Sequence, residues 1–190
     1  MSPRHDWMSI GARRAPALAA ALVAVMFAWS AGAATPTGAS PMQVLKDFSD
    51  NIAAILQKKT TPGSEAEKKQ DEKLKKNVNK LLDFPTLTKS SIGKHWKDLT
   101  LLQQTEITKL LTELIQRNYI KQIHDRKDDK YIVTYDSETL DGEDKAVVVT
   151  TVTAEARHDE QTQITYKMKK KGVKWVVIDI ETDGVSLVQN

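Results

Sequence analysis

The sequence predicts an α+β domain in which a layer of helices covers one face of a curved, four-stranded antiparallel sheet. Two observations predict it. Apolar residues recur at helical spacing through the first half of the chain, and from Lys130 onward the period changes from 3.6 to 2. The change happens once, and helices followed by strands segregate into layers rather than interleaving as βαβ units. At 190 residues the chain has room for one domain of ordinary size and an appendage.

The appendage stands in front. Arg4, Arg13 and Arg14 precede an uninterrupted apolar run from Ala17 to Ala28, and "WSAGAATPTG" follows with small residues at Ala31 and Ala33. A basic lead, a short apolar run and an Ala-x-Ala exit are the parts of a secretory signal peptide, expected to span residues 1–34. The run is too short for a transmembrane helix, which needs about 20 apolar residues. The mature chain, 35–190, is therefore expected to be exported and not membrane-spanning. It carries 25 basic against 24 acidic residues, so the formal charge falls from +3 to +1 once the leader is removed. That balance argues against a nucleic-acid partner, which requires clustered cations to displace counterions. The chain has no cysteine, which excludes thiol chemistry and cysteine metal sites.

The first helix is expected from Pro41 to about Gln57, where Val44, Leu45, Phe48, Ile52, Ile55 and Leu56 form one stripe and Pro41 suits a first helical turn. Pro62 and Gly63 break it. Ser64, three residues before Glu67, resembles a capping box for a second helix over Glu65 to Leu82. That helix is rich in Lys and Glu, so a solvated face is expected, anchored by Leu74, Val78, Leu81 and Leu82. Asp83-Phe84-Pro85 ends it, because the residue before proline disfavours helical backbone. A short helical stretch, "TLTKSSIGKHW", and a break near Asp98 lead to the longer helix "LLQQTEITKLLTELIQRNYIKQI". There Leu102, Ile107, Leu110, Leu111, Leu114 and Tyr119 are expected to form a second inward stripe.

Four strands follow: "KYIVTYD", "KAVVVTTVTAEA", "TQITYKMKK" and "VKWVVIDIE", joined at "SETLDGED", "RHDE" and "KKG" as a meander. On the last strand, alternation assigns Val176, Ile178 and Ile180 to the core and leaves Trp175, Val177, Asp179 and Glu181 on the other face. In "TDGVSLVQN", Gly184 is expected to take a positive φ at the chain reversal.

Few motifs suggest catalysis. His5, His95, His124 and His158 lack metal-ligand spacing, "DGVS" lacks the GxSxG frame, and there is no GxGxxG or GxxxxGK loop. Asp179, an acid inside an apolar strand, could serve a small isomerase- or hydratase-like enzyme as general base, or be an outward structural acid. The remaining signal is apolar and aromatic surface, read as a core or as a ligand cavity.

Two stretches narrow the choice. "LLDFPTLTKSSIGKHWKDLTLLQQTEITKLLTELIQRNYIKQI" carries Asp83-Phe84, Ile92-Gly93, Trp96, Thr100, Gln103 and Tyr119, and the final strand carries Trp175, Val177, Asp179, Gly184, Val185 and Ser186. In order and spacing both resemble the MlaC, or toluene-tolerance, family. The resemblance implies an NTF2-like or cystatin-like shape and a non-enzymatic, cofactor-free periplasmic carrier of phospholipid. Its implied partners are an outer-membrane lipoprotein complex and an inner-membrane ABC transporter, between which it shuttles lipid to maintain outer-membrane asymmetry. It also implies a further C-terminal helix beyond Asn190, missing here through a truncated sequence or a true shortening.

On that reading the acyl-chain pocket is expected among Phe84, Leu87, Ile92, Trp96, Leu110, Leu111, Leu114, Tyr119, Val133, Val147, Val149, Ile164, Tyr166, Val176 and Ile178. At about 0.8 kcal/mol per buried CH₂, sheltering a diacyl lipid of about 30 methylenes gains on the order of 20 kcal/mol without any catalytic group. A binding module for exposed polypeptide is a third reading of the same apolar surface.

Overall fold

A computed structural model describes residues 38–125, 130–155 and 157–188; the expected signal peptide, residues 1–34, lies outside them. The helices are α1 (Pro41–Leu56), α2 (Glu65–Leu81), α3 (Phe84–Ile92) and α4 (Leu101–Asp125), with a 3-10 turn at Gly93–Asp98 between the last two. The strands are β1 (Tyr131–Asp141), β2 (Lys145–Ala154), β3 (Arg157–Lys171), β4 (Lys174–Thr182) and β5 (Val185–Ser186). They form one open antiparallel sheet in sequence order, so the expected α+β meander is present with five strands instead of four. The fifth arises because Asp183 and Gly184 both take positive φ, 49° and 79°, and that two-residue turn brings Val185 back opposite Thr182.

The helix starts follow their caps. Ser40 accepts a hydrogen bond from Gln43 N–H at 3.2 Å ahead of Pro41, and Ser64 accepts one from Glu67 N–H at 3.1 Å. Glu67 reaches back to accept from Gly63 N–H at 2.6 Å, closing a variant of the capping box one residue early. Ser64→Ala should destabilise the protein by about 1 kcal/mol, the usual worth of such a cap, measurable as a lower urea midpoint at unchanged slope.

Leu45, Phe48 and Ile52 of α1 and Leu74, Val78 and Leu81 of α2 are buried, as their spacing predicted. Two contacts fix α1 on the sheet. Ser49 Oγ and Tyr135 Oη lie 2.7 Å apart, and Met42 N–H donates to Glu138 Oε2 at 2.6 Å. At the α2–α3 junction Leu82 makes a parallel bridge with Val177 of β4, and Asp83 N–H donates to Val177 O at 2.9 Å. The junction thus occupies strand-edge groups that would otherwise be open to pairing.

The core-facing row of the sheet is Ala146, Val148, Thr150 and Val152 on β2, Ile164, Tyr166 and Met168 on β3, and Trp175, Val177, Ile180 and Thr182 on β4. Strict alternation fails on β4 because of a bulge: Lys167 pairs with Asp179 and Met168 with Val177, leaving Ile178 as the extra residue. The expected core row of Val176, Ile178 and Ile180 is therefore corrected. Before the bulge Trp175 and Val177 point inward, and only after it does Ile180 join them. A second bulge between Tyr135 and Ser137 lets β1 run through "SETLD", expected as a loop, to Asp141.

Candidate functional site between the helices and the sheet

The residues expected to line an apolar pocket separate into three groups. Phe84 and Leu87 of α3, Tyr119 of α4, and Ile164 and Tyr166 of β3 belong to one buried cluster between the layers. Val133 is half-buried and packs against that cluster, while Ile92, Trp96 and Leu111 are half-buried without joining it. Leu110 and Leu114 are exposed at 56% and 42%, which corrects the expectation that the whole α4 stripe points inward. Only Tyr119, Ile120 and Ile123 of that helix are buried, near its C-terminal end.

Four members lie apart from the core row. Val147 and Val149 fall on the opposite face of β2 from Val148, Val176 stands opposite Lys169, and Ile178 sits in the bulge; all four are half-buried. The reason is register: a period-2 element sends neighbours to opposite faces, and one extra residue reverses the assignment beyond it.

The turn that sets α3 against α4 is fixed locally. Gln104 Nε2 donates to Trp96 O and Leu99 O, each at 3.1 Å, while Thr100 N–H donates to Gln103 Oε1 at 2.8 Å. Leu101 and Leu102, at the start of α4, are 82% and 77% exposed, and Leu110 and Leu114 continue the uncovered surface toward the centre of the helix. The N-terminal half of α4 thus carries exposed aliphatic side chains on the same helix whose C-terminal end, at Tyr119, Ile120 and Ile123, enters the buried cluster. In water such a surface is unfavourable.

Inside the cluster the polar groups are hydroxyls. Burial pushes the Tyr119 phenol well above the ordinary tyrosine range, helped by neighbouring Tyr166. Burial does the same to Tyr166, with Tyr135 adding to it and a hydrogen bond from Thr150 opposing it. Both stay neutral donors at any physiological pH. Tyr119 Oη is buried with no hydrogen-bond partner among the described residues, and so is Thr182 Oγ1. A buried hydroxyl without an acceptor is costly, so each is a place where a ligand oxygen or water would be stabilised. Sequence reading named Tyr119 but missed Thr150 and Thr182, whose signal is a threonine at core positions of an alternating strand.

Asp179 is 4% exposed, and its carboxylate is fully engaged. It accepts from Ile180 N–H at 2.9 Å, from Ser186 Oγ at 2.9 Å to each oxygen, and from Lys167 Nζ at 3.2 Å. Lys167 also pairs with Glu181, and that hydrogen bond is the main reason its ammonium pKa is raised. Ser186 Oγ in turn accepts from Val188 N–H at 3.1 Å. This network fastens β5 to β4, and a carboxylate so committed is a poor general base. Asp179→Ala should cost about 2–4 kcal/mol by stranding the Ser186 hydroxyl and the Ile180 amide, and Asp179→Asn less. Denaturant unfolding of both variants checks it; equal, negligible losses would show that the network contributes nothing.

Among the described residues no group of three or more His, Asp or Glu is placed to hold a metal ion, and no helix is long and apolar enough to cross a membrane. Among the described residues His124 lies 3.4 Å from Glu67 Oε1 and 3.0 Å from Asp71 Oδ1, where it ties the end of α4 to α2.

No curated protein matches the chain by sequence. Among solved structures, the phospholipid-binding protein from Ralstonia solanacearum, solved in complex with a phospholipid, is similar at a TM-score of 0.64 and 22% identity, over 80% of this chain and 82% of that one. At that identity the likeness establishes the fold. The family model described as MlaC protein matches residues 46–190, which takes in every helix and strand above apart from the first turns of α1. The chain belongs to the MlaC family.

Proposed function

We propose that the protein binds a phospholipid by its acyl chains between the helical layer and the sheet, and that it carries the lipid through the periplasm between an outer-membrane and an inner-membrane complex. Membership of the MlaC family, and a fold shared with a phospholipid-binding protein solved in complex with a phospholipid, support the class of ligand. The observation that carries the reading is on α4: Leu110 and Leu114 leave exposed aliphatic surface on the helix whose Tyr119 is buried in the core cluster with a hydroxyl that has no hydrogen-bond partner among the described residues. Acyl chains would cover the first, and an ester or phosphate oxygen would satisfy the second.

The residues assigned to this site are Phe84, Leu87, Ile92, Trp96, Leu110, Leu111, Leu114, Tyr119, Val133, Ile164 and Tyr166. A ligand held this way dissociates very slowly into water, so release requires a partner that opens the layers. Residues 1–34 act in the same scheme as the export signal. An enzymatic reading through Asp179 has no support, because every oxygen of its carboxylate is occupied by structural donors.

Organic extraction of the purified protein, with mass spectrometry of the extract, tests the proposal. Near-stoichiometric diacyl phospholipid is expected. An empty extract, together with no uptake of fluorescent phospholipid from vesicles, would sink it.

A further inference from the structure

α2 carries more lysine than its own acids require. Lys69, Lys73 and Lys76 are spaced four and three residues apart, so they stand on one face of the helix, and Lys80 continues the row. The acids of the helix are already engaged. Glu65 pairs with Lys68 at 2.7 Å and Glu72 with Lys75 at 2.8 Å. Glu67 and Asp71 turn the other way, to His124. Lys75 is the main reason the Glu72 carboxyl lies below its usual range, with Lys76 a lesser cause. Among the described residues, Lys58, Lys69, Lys73, Lys76 and Lys80 form no ion pair. Like charges at these spacings oppose helix formation by about 0.2–0.5 kcal/mol per pair, so the row is a standing cost to the fold.

The row borders a groove of about 950 Å³ between α1 and α2. Ala54 and Ile55 of α1 and Ala66 of α2 supply apolar lining, and Lys58, Lys68, Lys69, Lys73 and Lys76 outnumber the two acids of the lining, Glu65 and Glu72, which are paired with Lys68 and Lys75. Its shape is set by a buried clamp. Gln70 Nε2 donates to Ile55 O and Lys58 O, each at 2.8 Å, and Gln70 Oε1 accepts from Thr60 Oγ1 at 3.2 Å. A glutamine with its amide committed to the interhelical link holds the groove before anything enters it.

We propose that this groove is a docking surface for an acidic, amphipathic helical segment of a partner protein. Such a helix presents carboxylates at the same three- and four-residue spacing as the lysines, with an apolar face for Ala54 and Ile55. A flat anionic bilayer would reach the lysine row but would not fill the groove between α1 and α2, where half-buried Ile55 lies. The inference stands apart from lipid carriage, and its test reads no lipid.

The probe is a synthetic 18-residue peptide with Glu at three- and four-residue spacing and Leu and Ala between, titrated into the purified protein. Fluorescence anisotropy gives its affinity and amide NMR shifts give its location. Binding is expected with shifts concentrated in residues 51–58 and 65–76, weakened tenfold or more by K69E/K73E/K76E and by raising NaCl from 50 to 300 mM. K69Q/K73Q/K76Q should fall between, and K89E/K94E/K97E, in α3 and the 3-10 turn, should bind like the parent. These side chains are on exposed positions, so circular dichroism melts of all variants should agree within a few degrees. No binding, shifts centred elsewhere, or an unchanged affinity in K69E/K73E/K76E would overturn the proposal. So would binding to phosphatidylglycerol vesicles but not to the peptide, with K69E/K73E/K76E abolishing it, since the row would then serve a membrane.

Discussion

Val177→Asp should yield no folded protein, while Val176→Asp, one residue earlier, should unfold within about 1 kcal/mol of the parent. Val177 is 0% exposed, pairs with Met168 and holds the α2–α3 junction through its carbonyl, which accepts from Asp83 N–H. A carboxylate there would have to be buried ionised or be protonated at a large cost. Either route, added to the lost apolar burial, costs about 5 kcal/mol or more, comparable with the 5–15 kcal/mol that holds a whole domain together. Val176 stands on the other face opposite Lys169, where water is accessible and a cation is at hand. Soluble yield and denaturant unfolding of the two variants decide the matter. If Val176→Asp proved the destructive change, the register of β4 would be one residue from where it stands here.

Leu111→Asp should strip the protein of phospholipid while leaving it folded, and Val149→Asp should leave the lipid in place. Leu111 is half-buried on α4, next to the exposed Leu110 and one turn before Leu114, where the proposed acyl chains lie. An aspartate in contact with hydrocarbon costs about 2.5–3.5 kcal/mol, which corresponds to a loss of affinity on the order of 100-fold. Val149 lies on the far face of β2, opposite Thr165, and an acid there meets solvent instead of lipid. The check is the molar ratio of extracted phospholipid to protein, with circular dichroism to establish folding. Retention of lipid by Leu111→Asp, or its loss from Val149→Asp alone, would remove α4 from the walls of the site.

Much of the fold was legible before any coordinates. Leu74, Val78 and Leu81 are identifiable as the anchors of α2 because every other position in that helix except Ala66 is charged or polar, leaving one helical row to bury. Ser64 and Pro41 marked helix starts because their capping chemistry acts within four residues. Of the residues expected around a pocket, Phe84, Leu87, Tyr119, Ile164 and Tyr166 stand buried in the core, whereas Leu110 and Leu114 of the expected inward stripe are exposed, since an apolar stripe states that a helix face avoids water without saying what covers it.

The sequence by itself determined the class, the order of layers, the helix caps and the meander, because periodicity, capping and turn chemistry are local or nearly so. The tertiary structure alone decided which side of β2 and of β4 meets the helices. The β4 bulge shows why. Whether Ile178 occupies a place in the ladder depends on how Lys167 and Met168 pair across from it, and that pairing is fixed by Asp179 reaching Lys167 and Ser186. The same holds for the lysine row of α2, which became a groove only when Gln70 joined its helix to the end of α1. Contacts between residues far apart in the chain leave no period in the sequence, so they are settled by packing alone.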